Sequence, residues 1–290
     1  MQPFARPSAS SEPAPNDVDA CLDYLCPTDR RPHSYTFEPP AGVPWENCAY
    51  ASSLVRIRDA RRACAPPSLE REGHVLCDAP SDVVDFRDEA AVRCVLYAES
   101  SALVLALTGA SEVHVFDHLV RQREAGRPRL SFGRSAVNGR AAANGRIHND
   151  YTEASGLQRL ERVLPEPARR AGVQRHAIVN LWRSIKGPVL DTPLALCDSR
   201  SIRAGELVEA DVHYPARTGE IYLLTQAPQH RWCYYPAMDR HEVLVFKQYD
   251  SQLSGVARFT PHAAFDHPHT PPDAPLRESI ELRCLVLYNE

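Results

Sequence analysis

Lysine is almost missing from this chain: Lys186 and Lys247 stand against an abundance of arginine. Even with arginine counted, 33 bases face 37 acids, a formal charge of −4 at pH 7. Without a basic excess, or aromatics interleaved among basic clusters, there is no electrostatic footprint for nucleic acid. No apolar run approaches the length of a bilayer span, and the N-terminus lacks the apolar core of a secretory signal. Neither membrane insertion nor export is therefore expected. The nine cysteines are odd in number and include no C-x-x-C pair, which argues against a zinc ribbon or dithiol redox motif. Cys94, Cys233 and Cys284 sit inside apolar runs, where a free thiol acts as a small hydrophobe. A reduced, cytoplasmic protein is the expectation. Its many Arg, Ala and Pro residues fit a GC-rich coding sequence.

What is present suits one large all-β unit. The 290 residues are 43% hydrophobic, enough for a sizeable core, and sandwiches or barrels of this size form single domains. Pro3, Pro7, Pro13 and Pro15 among Ser and Ala read as a flexible tail, placed at 1–34, with one domain over 35–290. The first half mixes short strands with helical stretches. Val92–Tyr97 reads as a strand or a buried helix start, and Glu112–Phe116 alternates as a strand. A Gly-, Arg- and Ala-rich loop spans Gly126 to Gly145. Leu157, Leu160 and Leu164 follow at helical spacing, and Pro165 and Pro167 end that helix.

Beyond it the chain is strand after strand: 176–182, 194–197, 220–226, 231–235, 242–246, 257–265 and 279–288. Ala227-Pro-Gln-His230 reads as a hairpin joining 220–226 to 231–235. With Arg146–His148 as an early strand, the pattern predicts a mainly β chain with flanking helices. Its core is a double-stranded β-helix, a cupin-like jelly-roll of two packed antiparallel sheets.

The most informative stretch is Ile147-His148-Asn149-Asp150. On a strand, His148 and Asp150 project from one face and Asn149 from the other. With one distant His they would complete the 2-His-1-carboxylate facial triad of non-heme Fe(II) oxygenases. In the jelly-roll the strand carrying His148 lies beside the seventh, which carries His262. His230 is the alternative third ligand, because Gly219, His230 and Arg240 can imitate the last strands of a shorter roll. Strand count favours His262.

An Fe(II) so held keeps three positions open, two for a 2-oxo acid and one for dioxygen. The far carboxylate of 2-oxoglutarate needs a permanent cation in a partly dry pocket. Arginine suits this, since its planar fork pairs carboxylates bidentately and does not deprotonate. Arg277 is the first choice and Arg283 the second. Asn180 and Trp182 share a strand face that should line the barrel mouth, Asn180 toward the cosubstrate and Trp182 toward the substrate. Tyr222, His230 and Trp232 are the other candidates for the substrate pocket, although core packing is the safer reading of Tyr222.

Two other groups carry weaker signals. His114, Asp117 and His118 resemble ligands, but the alternation turns Asp117 away from His114, and a strand leading into a capped helix explains them. Lys247, Tyr249 and Asp250 fit a solvated turn as well as they fit a site.

Several longer motifs carry a resemblance over residues 35–290. Glu242-Val-Leu-Val-Phe-Lys-Gln-Tyr-Asp-Ser251, Pro261-His-Ala-Ala-Phe-Asp266 and Arg277-Glu-Ser-Ile-Glu-Leu-Arg283 are three of them. Asn180-Leu-Trp-Arg183, Gly219-Glu-Ile-Tyr222, His230-Arg-Trp232, Tyr97-Ala-Glu99 and Thr108–Asp117 add to it. The chain resembles the gibberellin-desaturase-like family, which includes aspergillic-acid hydroxylase/desaturase types and relatives of a cephamycin methoxylase component. The resemblance implies a double-stranded β-helix oxygenase dependent on Fe(II) and 2-oxoglutarate, acting with O2 on a small-molecule metabolite by hydroxylation, desaturation or cyclisation. Two alternatives stand beside it: a non-catalytic accessory subunit, and a metal dioxygenase that does not use 2-oxoglutarate.

Overall fold

The computed structural model describes residues 16–132 and 141–289. The proline-bearing segment before Asn16, and residues 133–140 of the expected Gly126–Gly145 loop, lie outside the described residues. Two curled sheets face each other as a half-barrel with flanking helices, the expected double-stranded β-helix core.

The larger sheet runs, edge to edge, Val18–Leu25, Tyr50–Asp59, Trp232–Tyr234, Leu194–Cys197, His262–Ala264, His148–Asn149, Arg217–Leu224, Leu207–Tyr214 and His33–Tyr35. The smaller runs His74–Asp78, Glu242–Asp250, Val173–Ser184, Glu278–Asn289, Glu112–Gln122 and Ala141–Ala142.

Val173–Ser184 is the centre of the smaller sheet and is buried on both faces from His176 onward. A near-continuous apolar run is what such a strand needs. Its Ala177, Val179 and Leu181 pack outward on Val92, Leu96 and Val104 of a helix. Each such side chain contributes roughly 1.5–3 kcal/mol by leaving water. Asn180 and Trp182 turn to the interior between the sheets. A second helix, Glu153–Val163, is capped by Thr152 and Ser155 and lies over the same sheet through Leu160, with Leu164 just beyond its end. Gly156 lets it approach, because a Cβ there would stand 2.7 Å from the Tyr249 ring.

Several expectations are corrected. Residues 18–25 are not tail but a strand paired over eight residues with 50–57, because Val18, Ala20, Leu22 and Tyr24 alternate into the core. Val92–Tyr97 and the apolar run after it form one helix, Glu89–Thr108, which by length and composition alone could cross a bilayer. That property contradicts the reading that no apolar run comes near such a span. In this fold the helix buttresses the smaller sheet. His114 to His118 lie within a strand that continues to Gln122, and no helix follows it over residues 123–132.

The expected hairpin across residues 227–230 does not form. Arg217–Leu224 pairs instead with Leu207–Tyr214 over eight residues. Trp232–Tyr234 crosses to Leu196–Cys197 and to Ile57–Asp59, where Trp232 and Tyr234 bury against Tyr24 and Ala195. The strand expected at 257–265 is only His262–Ala264. Pro261, which has no N–H to donate, stands immediately before it.

Candidate metal centre

His148 and His262 are direct partners on adjacent antiparallel strands, with ring centroids 4.4 Å apart. Asp150 follows His148 on the same face, and its Oδ1 is 3.4 Å from His148 Nε2. One ligand atom from each of the three lies within 4.8 Å of the others, so modest side-chain rotation brings all three onto one ion. Among the described residues no other group of three His, Cys, Asp or Glu converges this way. The three form a 2-His-1-carboxylate facial triad.

The surrounding groups orient each ligand. His148 Nδ1 is 2.8 Å from the carbonyl of Arg146, and His262 Nδ1 is 3.2 Å from that of Thr260. Each Nδ1–H donates to a backbone oxygen, which leaves the Nε2 lone pair to face a metal, with Asn144 Nδ2 3.4 Å from His148 Nε2. Asp150 Oδ2 accepts from Asn180 Nδ2 at 2.8 Å and from Arg283 Nε at 3.2 Å. That leaves Oδ1 toward the histidines. Burial acts to raise the Asp150 carboxyl, but Arg283 first, then His148 and His262, hold it well below the usual carboxylate range. Burial, with help from His148, pushes His262 down to about 3. Asp150 and His262 are thus held in the deprotonated state a metal requires.

The rings beside the histidines are Phe132, 6.1 Å from His148, and Phe246, 4.9 Å from His262. Alternation along Glu242–Asp250 places Phe246 on the interior face, a signal available in the sequence. Phe132 lies in irregular chain and gave none.

Arg277 is buried and enters the same interior. Its backbone N–H points to Asp191, its Nη1 donates to the Thr192 carbonyl at 2.9 Å, and its guanidinium lies over Trp182 at 5.6 Å. Among the described residues no carboxylate pairs with the guanidinium, and burial lowers it to about 10. Arg277 Nε, Ser279 Oγ, Thr192 Oγ1 and Asn180 Oδ1 are all buried without a hydrogen-bond partner among the described residues. Buried polar atoms are rarely left unpaired. A cation with two unpaired hydroxyls in the half-barrel that holds the triad fits the far carboxylate of a 2-oxo diacid, and the triad fits Fe(II). Ser279 and Thr192 were not singled out in the sequence, although Ser279 shares a strand face with Arg277.

The remaining sequence candidates are placed differently. Asn180 and Arg283 lie against Asp150 itself, and Arg283 also engages Glu281 and Asp117 at 2.6 and 3.0 Å. His230 is not brought to the triad. It stacks on Tyr24 and bonds Glu206 through Nε2 at 3.0 Å. Trp232 donates to Tyr24 Oη at 2.7 Å within the core. Tyr222 pairs with Asn149, so it points away from the triad and packs on Phe259 at 5.2 Å. There it borders an open groove of about 1050 Å³ with Leu207 and Val208. Lys247 and Asp250 form no solvated turn: both are buried, 2.7 Å apart, with Arg175 closing the carboxylate.

The family described as an oxidoreductase/YMDC permease-like domain matches residues 22–287. The hydroxylase/desaturase efuI of Hormonema carpetanum is 34% identical over 258 residues, covering 83% of this chain and 85% of that protein. The Fe(II)/2-oxoglutarate-dependent dioxygenase nvfI of Aspergillus novofumigatus is 31% identical, covering 87% and 89%. A solved structure of the iron and alpha-ketoglutarate-dependent endoperoxidase NvfI superposes with a TM-score of 0.80 at 26% identity, over 94% of this chain and 99% of that one. Fold, triad and relatives agree: the chain is an oxidoreductase of the family that contains the fungal Fe(II)/2-oxoglutarate-dependent hydroxylases, desaturases and dioxygenases.

Proposed function

We propose that this oxygenase binds Fe(II) through His148, Asp150 and His262 and 2-oxoglutarate through Arg277, and oxidises a small-molecule metabolite by hydroxylation, desaturation or cyclisation. The observation that carries the cosubstrate assignment is the buried Arg277 with no carboxylate partner among the described residues, beside the Ser279 and Thr192 hydroxyls that are likewise unpaired among them. When bound, Fe(II) with 2-oxoglutarate and dioxygen supplies the oxidising chemistry, yielding succinate and CO2 as a substrate C–H bond is oxidised.

The chain's own residues select and hold. The two imidazoles turn Nε2 toward the metal position because their Nδ1 atoms are committed to the Arg146 and Thr260 carbonyls. Asn180 and Arg283 hold Asp150 Oδ2, so Oδ1 is the carboxylate atom that would hold the metal with the two histidines. Arg277 pairs the far carboxylate of the 2-oxo acid in a dry setting, where a charge-assisted bond is strong. Trp182 backs that arginine and keeps water from its face. Phe132 and Phe246 give the metal centre an apolar wall against which a largely hydrocarbon substrate would rest.

The test is turnover of 2-oxoglutarate. Purified protein with Fe(II), ascorbate and O2 is expected to form succinate slowly without substrate, and Arg277→Gln to abolish it at low cosubstrate concentration. Succinate formation that is indifferent to Arg277 would overturn the cosubstrate assignment.

A further inference from the structure

The strand Glu242–Asp250 pairs regularly with Val173–Ser184 until Lys247, which faces Val179. Tyr249 then faces Ile178, so Gln248 has no opposite residue and forms a β-bulge. A bulge takes one side chain out of the strand's alternation and re-aims it. Here Gln248, fully buried, is aimed at both segments that carry the triad. Its Oε1 accepts the backbone N–H of Asp150 at 2.7 Å, and its Nε2 donates to the Thr260 carbonyl at 3.2 Å. That same carbonyl orients His262 Nδ1. The partners themselves dictate which way the amide faces, since an N–H needs an oxygen and a carbonyl needs an N–H.

The bulge is tied in from behind. The Gln248 carbonyl accepts from Asn149 Nδ2 at 2.8 Å, and Asn149 Oδ1 accepts the Thr260 N–H at 3.0 Å. The Gly73 carbonyl takes both the Lys247 N–H and the Thr260 hydroxyl, at 2.8 and 3.1 Å. Gly73 has φ +91°, and a Cβ there would stand 2.3 Å from Thr260 Oγ1, so only glycine permits this approach. The segments 148–150 and 260–262 are thus gathered on one dry amide.

We infer that Gln248 is a positioning residue that sets the spacing between Asp150 and His262, an inference that rests on the triad being the Fe(II) site. Its amide is committed to backbone groups, so it acts through the two ligands rather than on metal or substrate. Replacing it with an apolar side chain leaves the Asp150 N–H without its acceptor and the Thr260 carbonyl with one donor fewer. A buried orphan of that kind favours movement of the segment that carries it. Loss of an outer partner of this sort weakens metal binding by about 10–100-fold.

The experiment is Co(II) titration of the metal-free full chain, read by visible absorption and EPR, for the unsubstituted protein and Gln248→Met. Methionine keeps the volume and removes both hydrogen bonds to the ligand-bearing segments, along with the one to the Lys247 carbonyl. The expected result is an unchanged far-UV circular dichroism spectrum, a Kd for Co(II) raised about 10–100-fold, and altered ligand-field bands. Where Gln248→Met fails to fold, Gln248→Asn, which withdraws the same amide by one methylene, takes its place with the same expectation. A substituted protein with the parental Kd and spectrum overturns the role of Gln248 alone. An unsubstituted protein that binds no Co(II) overturns the metal centre, and this inference with it.

Discussion

Arg283 Nε lies 3.2 Å from Asp150 Oδ2, so the carboxylate ligand carries its own counter-cation on the side away from the histidines. Arg283 also pairs with the buried Glu281 and reaches Asp117. Arg283→Gln removes the largest of the charges that together outweigh desolvation of Asp150, and it leaves the buried Glu281 without its partner. The expected outcome is a loss of about 3–5 kcal/mol of stability and a weaker, more acid-sensitive hold on Fe(II). Denaturant unfolding and metal titration measured at two pH values check the two parts separately.

Arg277 and the triad should be separable in binding. Arg277→Gln is expected to leave Fe(II) affinity within a few-fold of the parent and to weaken 2-oxoglutarate by roughly 100–1000-fold, the cost of truncating one partner of a buried charge pair. Calorimetric titration of 2-oxoglutarate into the metal-loaded protein under anaerobic conditions measures it.

His230 and His262 are distinguished by substitution. His262→Ala is expected to abolish tight Fe(II) binding. His230→Ala removes the contact with Tyr24 and the bond to Glu206, so it should cost about 1–3 kcal/mol of stability and leave Fe(II) binding intact. Metal content after gel filtration, together with thermal unfolding, tells them apart.

His74 gives the fold a pH dependence away from the metal. It is buried, with Nδ1 3.1 Å from Tyr235 Oη and Nε2 3.3 Å from Cys233 Sγ, and burial pushes it down to about 4. Between pH 6.5 and 4 the unfolded chain binds this proton and the folded chain does not, so stability falls as pH falls through that window. The shift corresponds to about 3 kcal/mol. His74→Gln is expected to flatten the pH slope of unfolding free energy by roughly one proton over this range, relative to the parent.

Much of the site was legible because its parts are local in sequence or fixed by topology. His148 and Asp150 share a face by strand alternation alone, and the jelly-roll strand order was enough to pair His148 with His262. What escaped depends on contacts no period reveals. Gln248 lies just past the strand read at 242–246, among residues that fit a solvated turn, and the bulge that aims it arises from pairing with Val179 and Ile178. Arg283 and Asn180 read as cosubstrate ligands by residue type, while their distance to Asp150 is a property of register. Val18–Leu25 alternates visibly, yet the proline-rich stretch before it made the whole N-terminus read as tail. The hairpin across 227–230 misled for a related reason: a good turn does not say which strand pairs with which.

The most direct test of the Fe(II)/2-oxoglutarate centre is the visible spectrum of the anaerobic protein with both added. A weak charge-transfer band that is absent in Asp150→Ala and suppressed in Arg277→Gln is the predicted result. No band in the unsubstituted protein, with Fe(II) loading confirmed, would contradict it.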